Sequence, residues 1–285
     1  GIADTLRAGR AQLARRSAAD VLAALGAAGS RFLNPHDPLR AEALDRLPEA
    51  SGLSPEMCVA VLDGMAADWT AERLTDLVTA ELGGLAALDG FVRDGARSVM
   101  AVGPALCVQI VAGGVPGVGV TALLRSLVVK APTLLKPGRG DVVLPSLFAR
   151  SLAGIDPMLA DSLVVAYWPG GSQKHEEAAL ARADVVTVYG SDETVRDVRA
   201  RTPVTARLVA YHHRVSVGVV GREALAVSRV GRTAAKVAHA VALFDQRGCV
   251  SPQLIYVEEG GTCAPPEFSE RLASSLADLE VRLPG

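Results

Sequence analysis

The sequence predicts an α/β protein in which helices cover both faces of a parallel sheet. Residues 1 to about 95 are rich in Ala, Leu and Arg and predict helices, whereas from Val99 onward short apolar runs alternate with helical segments. Repeated alternation of strand and helix is typical of a parallel sheet that is buried on both faces. The chain has 285 residues, 49% of them hydrophobic, which is enough for the cores of two domains.

The predicted elements follow in order along the chain. Ser54-Pro55-Glu56 predicts a helix start, with Ser54 as the N-cap and Pro55 in the first turn. Apolar runs predict strands at 106–112, 133–135, 163–167, 185–189, 207–210, 215–220 and 254–257. Helical patterns lie between them at 121–129, 144–153, 176–183, 193–200 and 223–244. We therefore predict three parts: a helical N-terminal region (1–98), an α/β domain (99–221) and a last segment (222–285).

Charge and cysteine usage narrow the classes of function. The net charge is −2 and both signs are interspersed, so no nucleic acid or anionic membrane partner is expected. The first residues do not combine a basic region with an apolar one, so we expect no signal peptide. Four scattered cysteines, none in a Cys-x-x-Cys pair, favour a reducing cytoplasm and argue against a zinc ribbon.

One uncharged stretch, Val99 to Leu124, is long enough to cross a bilayer. Glycines and prolines interrupt its middle, so a buried strand, a glycine-rich turn and a helix explain it better than a membrane span. The turn, residues 114–121, has the spacing of a phosphate-binding P-loop. Val120 replaces the lysine that such a loop needs, which argues against an NTPase.

Cys249 is the candidate nucleophile among the four cysteines. It follows Gly248 in a polar turn between a helical segment and a strand, where a thiolate can reach a carbonyl carbon. Cys107 lies in an apolar run and is expected in the core, Cys58 falls in a helical pattern, and Cys263 in a loop rich in Gly and Pro. From the residues alone, a nucleophile and a structural thiol are equally good interpretations of Cys249.

Two further candidates follow predicted strands. Lys136 ends the strand 133–135, and ligands of open α/β sheets bind at the carboxyl ends of strands, although a solvated lysine in a turn explains it as well. Ser191 follows the strand 185–189 at a predicted helix start, where it either binds a pyrophosphate or caps the helix.

Together, the segments Gly113–Gly117, Leu134–Arg139, Val188–Glu193 and Asp245–Gln253 resemble the LuxC-type acyl-CoA reductases, a branch of the aldehyde dehydrogenase superfamily. The resemblance implies an aldehyde-dehydrogenase-like fold. In it, residues 99–221 form a Rossmann-type nucleotide-binding domain and residues 222–285 begin a catalytic domain. The motifs come in the order of the superfamily, and the resemblance spans nearly the whole chain, including Leu53–Met57 in the helical N-terminal region.

The resemblance also implies roles for the site residues. Lys136 would bind the adenine ribose of a nicotinamide cofactor, Gly190 and Ser191 its pyrophosphate, and Cys249 the acyl group. Arg139 stands where relatives that prefer NAD often carry a glutamate, and an arginine there can pair with a 2′-phosphate, so the implied cofactor is NADP(H).

Three departures from the family pattern matter. Gly114 replaces an asparagine whose amide helps to form the oxyanion hole, so the hole would rely on backbone N–H groups such as that of Cys249. The stretch 208–216, where relatives that form acids carry a glutamate, has no carboxylate to activate a hydrolytic water. Of His212 and His213 in that stretch, at most one faces the site, and neither has further residues at a metal-ligand spacing. Only residues 250–285 follow Cys249, so we expect a truncated catalytic domain or one completed by another chain.

The implied reaction is the NADPH-dependent reduction of an acyl thioester to an aldehyde through an acyl group on Cys249. The substrate would be an acyl-CoA or an acyl carrier protein, and the protein a homo-oligomer. Two alternatives remain: an aldehyde dehydrogenase that forms the acid, and a non-catalytic nucleotide-binding relative, which Gly114 and the short C-terminal segment favour.

Overall fold

The computed structural model describes residues 1–284, which form two compact units. The first contains residues 1–51 and 62–212, and the second contains residues 52–61 and those from 213 onward. The three parts predicted from the sequence stay a prediction. Among the described residues no helix is both long enough and apolar enough to cross a membrane.

Helices make up the start of the chain, as predicted. Ser17 and Thr70 cap two of them by accepting backbone N–H groups of Asp20 and Arg73. Ser54 caps a third, accepting the N–H of Met57 at 3.2 Å, which confirms the predicted start. The helices are α1 (Ile2–Ala14), α2 (Ala18–Ser30), α3 (Pro38–Ser51), α4 (Pro55–Ala67), α5 (Ala71–Leu82) and α6 (Ala86–Asp89).

The helical prediction is wrong at its end, where two strands form a hairpin. Strand β1 (Val92–Asp94) pairs antiparallel with β2 (Arg97–Val99). Gly95 turns the chain between them with φ +58, a left-handed conformation that glycine adopts without a steric penalty. Because Asp94 pairs with Arg97, the loop consists of Gly95 and Ala96, and glycine is favoured at the first position of such a two-residue loop.

A five-stranded parallel sheet forms the centre of the first unit. In spatial order it reads β5, β4, β3, β6, β7, with every neighbouring pair parallel. The strands are β3 (Cys107–Ile110), β4 (Thr133–Lys136), β5 (Leu163–Val165), β6 (Val185–Tyr189) and β7 (Arg207–Tyr211). The connecting helices are α7 (Val118–Leu127), α8 (Val143–Ile155), α9 (Pro157–Ala160), α10 (Gln173–Leu180) and α11 (Asp192–Arg201).

Both faces of this sheet are covered, which confirms the predicted fold class. On one face Val108 and Val186 belong to a buried apolar cluster with Leu6 of α1, Leu180 of α10 and Val198 of α11. On the other face the Gln109 amide donates to Ser126 of α7 at 2.6 Å. The uncharged stretch Val99–Leu124 contains β3, a turn and the first residues of α7, as predicted.

The chain changes direction along the sheet after β5. From β3 it moves through β4 to β5, and it then returns to the other side of β3 to form β6 and β7. The carboxyl ends of β3 and β6 therefore flank a topological switch point, the usual place for a ligand crevice in such sheets.

The second unit is smaller and has one two-stranded parallel sheet. Strand β8 (Ser216–Val220) pairs with β9 (Pro252–Val257), and helices α12 (Val230–Ala242) and α13 (Pro265–Glu280) follow them. Val220, Ile255 and Val257 pack with residues of both helices. The opposite face of the sheet remains exposed, at Val217, Val219, Leu254 and Tyr256.

The helix predicted over 223–244 is broken at both ends. Short 3₁₀ turns cover Arg222–Leu225 and Leu243–Gln246, and α12 lies between them. Leu225 and Val230 are both buried in the same small core, so the chain has to turn between them. At the other end Phe244, Asp245 and Gln246 all have positive φ, at 64°, 50° and 57°, which ends the helix before Cys249.

Three glycines bring the turns that follow β3 and β4 into backbone contact. A Cβ atom at Gly138 would lie 2.2 Å from the backbone nitrogen of Gly113, and one at Gly140 would lie 2.3 Å from the Gly113 carbonyl oxygen. No side chain fits between these turns, because the obstructing atoms are backbone.

A buried carboxylate ties the same two turns together. Asp141 is fully buried and accepts the N–H groups of Gly117, at 2.7 Å, and Gly119, at 2.6 Å. Burial raises the pKa of Asp141 to about 7, and the two N–H groups act in the opposite direction. The Asp141 carboxylate therefore occupies the backbone N–H groups at the start of α7 that a P-loop would offer to a phosphate. Val120, which stands where a P-loop has its lysine, is buried. This geometry agrees with the exclusion of an NTPase.

We predict that Gly138→Ala destabilises the protein by about 1–3 kcal/mol, the usual effect of forcing an extra carbon into a packed site. Gly154→Ala is the matched control, because a Cβ there meets nothing within 4 Å and the residue lies in α8. That control should be neutral or stabilising by up to about 1 kcal/mol. Thermal unfolding of both variants measures the difference, and equal midpoints would contradict the close approach of the turns.

A second prediction concerns Asp141→Asn and pH. Because burial raises the folded-state pKa of Asp141 from 3.8 to about 7, the folded protein binds more protons than the unfolded chain between these pH values. Stability from this group therefore falls as pH rises through that window, and asparagine has no such loss. The variant loses a hydrogen-bond acceptor, which lowers its stability by about 1–3 kcal/mol. The difference in stability between the native protein and the variant should nevertheless become smaller from pH 5 to pH 8. Thermal midpoints at both pH values test this, and a gap that widens with pH would contradict it.

Candidate functional site

A cavity of about 310 Å³ opens at the switch point of the first unit. It lies at the carboxyl ends of three neighbouring strands, β4, β3 and β6, and is bounded by α10 and α11. Among the residues that line it are Ile110, Ala112, Lys136, Gly138, Gly171, Glu176, Tyr189, Gly190, Ser191, Thr194, Asp197 and Arg201. Three of the residues expected to bind a cofactor, Lys136, Gly190 and Ser191, therefore share one cavity.

Lys136 places a positive charge in this cavity from the end of a sheet strand. It is the last residue of β4 and is half-buried, with Nζ 5.9 Å from the centre of the Tyr167 ring. Burial lowers the pKa of Lys136, and the nearby Glu176 carboxylate opposes that shift. A partly desolvated ammonium group at a strand end attracts a polar or anionic ligand more strongly than one in open solvent does.

Glu176 and Arg201 were missed by the sequence reasoning. Glu176 of α10 is buried, forms an ion pair with Arg201 at the end of α11, and accepts the Gly171 N–H at 3.3 Å. The pair fixes the two helices on either side of the cavity. No sequence motif predicts this ion pair, because its two residues come together only when α10 and α11 pack.

Ser191 is an N-cap, as its simpler interpretation proposed. Its Oγ accepts the N–H of Thr194 at 3.2 Å at the start of α11, and it is exposed where it lines the cavity. Gly190 lies directly beside it, where a Cβ would meet the Thr194 side chain at 3.0 Å. The Ser191 Oγ also lies 3.1 Å from the Thr194 Oγ1, in a hydrogen bond in which either hydroxyl group can donate.

Arg139 and Gly114 lie on the turns that border the cavity. Arg139 is exposed and begins the short 3₁₀ turn Arg139–Asp141, next to Gly138. Gly114 is exposed between β3 and α7, where it offers backbone groups and no side-chain amide.

Cys249 belongs to the second unit and is the exposed cysteine of the four. It lies between the 3₁₀ turn that ends at Gln246 and strand β9. The carbonyl oxygen of Cys249 accepts a hydrogen bond from the Ser216 hydroxyl at 2.5 Å. The backbone N–H of Ser251, two residues later, donates to the Gly248 carbonyl oxygen at 3.0 Å. These bonds fix the backbone on both sides of the thiol.

The other cysteines have the structural roles expected for buried thiols. Cys58, Cys107 and Cys263 are buried. Burial raises the pKa of Cys107 to about 11 and also raises the pKa of Cys263. Because the thiolate is the nucleophilic form, both thiols are poor nucleophiles near neutral pH.

The two adjacent histidines are exposed at the end of β7. His212 Nδ1 is 3.7 Å from a carboxylate oxygen of Asp192. Over residues 1–284, no group of three or more His, Cys, Asp or Glu side chains could hold a metal ion.

Comparisons with known proteins identify the family. The acyl-CoA reductase (LuxC) family matches residues 13–285. A long-chain acyl-protein thioester reductase of Aliivibrio fischeri is 27% identical over 186 residues, covering 64% of this chain and 38% of the relative. One from Photobacterium phosphoreum is 27% identical over 219 residues, covering 72% and 42%. The chain thus spans about two fifths of the length of these relatives.

Solved structures show the fold. The structure matches an NAD-dependent benzaldehyde dehydrogenase of Corynebacterium glutamicum with a TM-score of 0.75 at 15% identity, covering 97% of this chain and 58% of the other. It matches aldehyde dehydrogenase C of Pseudomonas syringae with a TM-score of 0.73 at 15% identity, covering 96% and 53%. The chain therefore belongs to the LuxC family of acyl-CoA reductases and has the aldehyde dehydrogenase fold.

Proposed function

We propose that this protein takes part in the reduction of an acyl thioester to an aldehyde, with Cys249 as the nucleophile and NADP(H) as the cofactor. The observation that carries the proposal is that Cys249, the exposed cysteine of the four, lies in the segment that resembles the family's nucleophile segment. The names of the relatives, long-chain acyl-protein thioester reductases, support the reaction type.

In the proposed mechanism the Cys249 thiolate attacks the carbonyl carbon of the thioester. The substrate's C–S bond breaks, the carrier leaves as a thiol, and the acyl group stays on Cys249. Backbone N–H groups near Cys249 stabilise the oxyanion, because Gly114 supplies no amide side chain. When bound, NADPH would supply the hydride that reduces the acyl carbon on Cys249. The resulting thiohemiacetal loses the Cys249 thiolate and gives the aldehyde.

Residues of the first unit fit a nicotinamide dinucleotide. The cavity at the switch point has an ammonium group at Lys136 and a capped helix start at Ser191, and both suit the polar groups of a ribose and a pyrophosphate. Arg139 is exposed beside the cavity, where its guanidinium can pair with a 2′-phosphate. This supports NADP(H) over NAD.

The thioester carrier is proposed from the relatives and from chemistry. Their names describe acyl-protein substrates, so an acyl-protein and an acyl-CoA are both candidate donors. The reaction needs Cys249 as a free thiol, which suits a reducing cytoplasm.

A second candidate function is nucleotide binding without catalysis. The missing side-chain amide at Gly114 favours it, because one oxyanion donor is typically worth about 100-fold or more in rate. Oxidation of an aldehyde to the acid is less well supported, since the stretch 208–216 has no carboxylate to activate water.

We predict that a medium-chain acyl-CoA acylates the native protein once and that Cys249→Ala abolishes the adduct. Intact-mass spectrometry measures this, and addition of NADPH should remove the adduct from the native protein. Cys263→Ala is the control, because Cys263 is buried and the variant keeps Cys249. Failure to acylate with a panel of acyl-CoA and acyl-protein thioesters would contradict the proposal and favour the non-catalytic alternative.

We also predict that Lys136→Ala weakens NADPH binding by roughly 10- to 100-fold, since a hydrogen bond to a charged group contributes about 1.5–3 kcal/mol. Fluorescence titration of NADPH measures the dissociation constants. Lys174→Ala is the matched control, because Lys174 is an exposed lysine of α10. Equal dissociation constants in the two variants would remove Lys136 from the cofactor site.

A further inference from the structure

The second unit has a cavity of its own, about 430 Å³ in volume, at the start of α12. It lies where the chain leaves β8 through the turn Arg222–Leu225 and enters the helix. The lining residues are Gly221, Glu223, Ala224, Arg229, Arg232, Thr233 and Lys236. The proposed reaction uses none of them.

The cavity is strongly positive. Arg229, Arg232 and Lys236 face one carboxylate, Glu223, so three positive charges against one negative leave a net charge of +2. All three cations are exposed, and none forms an ion pair with any residue that the structure describes. The neighbouring Arg222, by contrast, is held by the Glu258 carboxylate.

The position of these cations is unfavourable for the helix itself. Arg229 is the N-cap of α12, Arg232 lies in its first turn, and the first turn holds no acidic residue. The N-terminal end of a helix carries a partial positive charge, so acidic residues normally stabilise it and cations there cost free energy. An anion in the cavity would relieve both the repulsion among the side chains and the repulsion with the helix end.

The wall of the cavity is held in place without a ligand. The Thr233 hydroxyl lies 3.0 Å from the Ala224 carbonyl oxygen and 3.2 Å from that of Arg229, which links the helix to the preceding turn. The backbone N–H of Arg222 donates to Glu258 at 2.8 Å and anchors that turn to the end of β9. A preformed site loses little conformational entropy when a ligand binds.

We propose that this cavity binds a phosphate-bearing ligand with at least two negative charges. Two guanidinium groups can each donate two parallel hydrogen bonds to phosphate oxygens, and the Lys236 ammonium adds a point charge. Phosphate binding stands independently of the proposed function. The further assignment of the ligand to the phosphates of CoA rests on the proposed function. With that assignment, the cavity would bind the carrier of the thioester.

Isothermal titration with inorganic pyrophosphate tests the cavity directly. We expect the native protein to bind it, Arg232→Gln to weaken the binding at least about tenfold, as the loss of a charge-assisted bond predicts, and added salt to weaken it further. Arg282→Gln removes the same charge from an exposed arginine elsewhere in the second unit and should bind as the native protein does. Absence of binding to the native protein, or equal affinity in the two variants, would overturn the proposal.

Titration with CoA then distinguishes the source of the phosphate. A loss of CoA affinity in Arg232→Gln that matches the loss for pyrophosphate would support the CoA assignment. Equal CoA affinity in native protein and variant would overturn that assignment while the pyrophosphate result stands. Acylation of Cys249 and binding of NADPH, measured in the same variant, report separately on the proposed function.

Discussion

The backbone contact between the turns after β3 and β4 is the constraint on which the cavity at the switch point depends. Gly113 meets Gly138 and Gly140 without room for a side chain, and the Asp141 carboxylate holds the start of α7 against the same turn. Because Lys136 directly precedes this contact, its ammonium group is carried by a rigid strand end. Ser191 and α11 line the opposite side of the crevice between β3 and β6.

Charge is handled differently at the two cavities. In the first unit, Glu176 neutralises Arg201, so the ion pair serves mainly to hold α10 and α11 while Lys136 stays available. In the second unit, the cations at the start of α12 have no such partners among the residues that the structure describes, and they face a helix end of the same sign. The first arrangement suits a ligand with spread polar groups, and the second suits a compact anion.

Much of the fold could be predicted because its signals are local. Alternating strand and helix patterns predict the parallel sheet, and Lys136 and Ser191 each follow one of its predicted strands, where ligands of such sheets bind. Other features depend on contacts between distant residues. Asp141 lies 24 residues beyond Gly117, Arg201 lies 25 beyond Glu176, and nothing in either segment alone specifies the pairing.

The break in the predicted helix 223–244 had no sequence signal either. Glycine normally marks left-handed backbone, whereas here Phe244, Asp245 and Gln246 adopt it. The sequence also could not predict which strand pairs with β8, since an apolar strand of five residues fits either sheet.

These three left-handed residues also affect how the chain around the thiol moves. Each L-residue in that conformation costs roughly 1–2 kcal/mol, and the segment has no deeply buried side chain to offset the cost. Local opening starts where the native conformation is least favoured over its alternatives. The amides just before Cys249 should therefore exchange with solvent long before those of the central sheet.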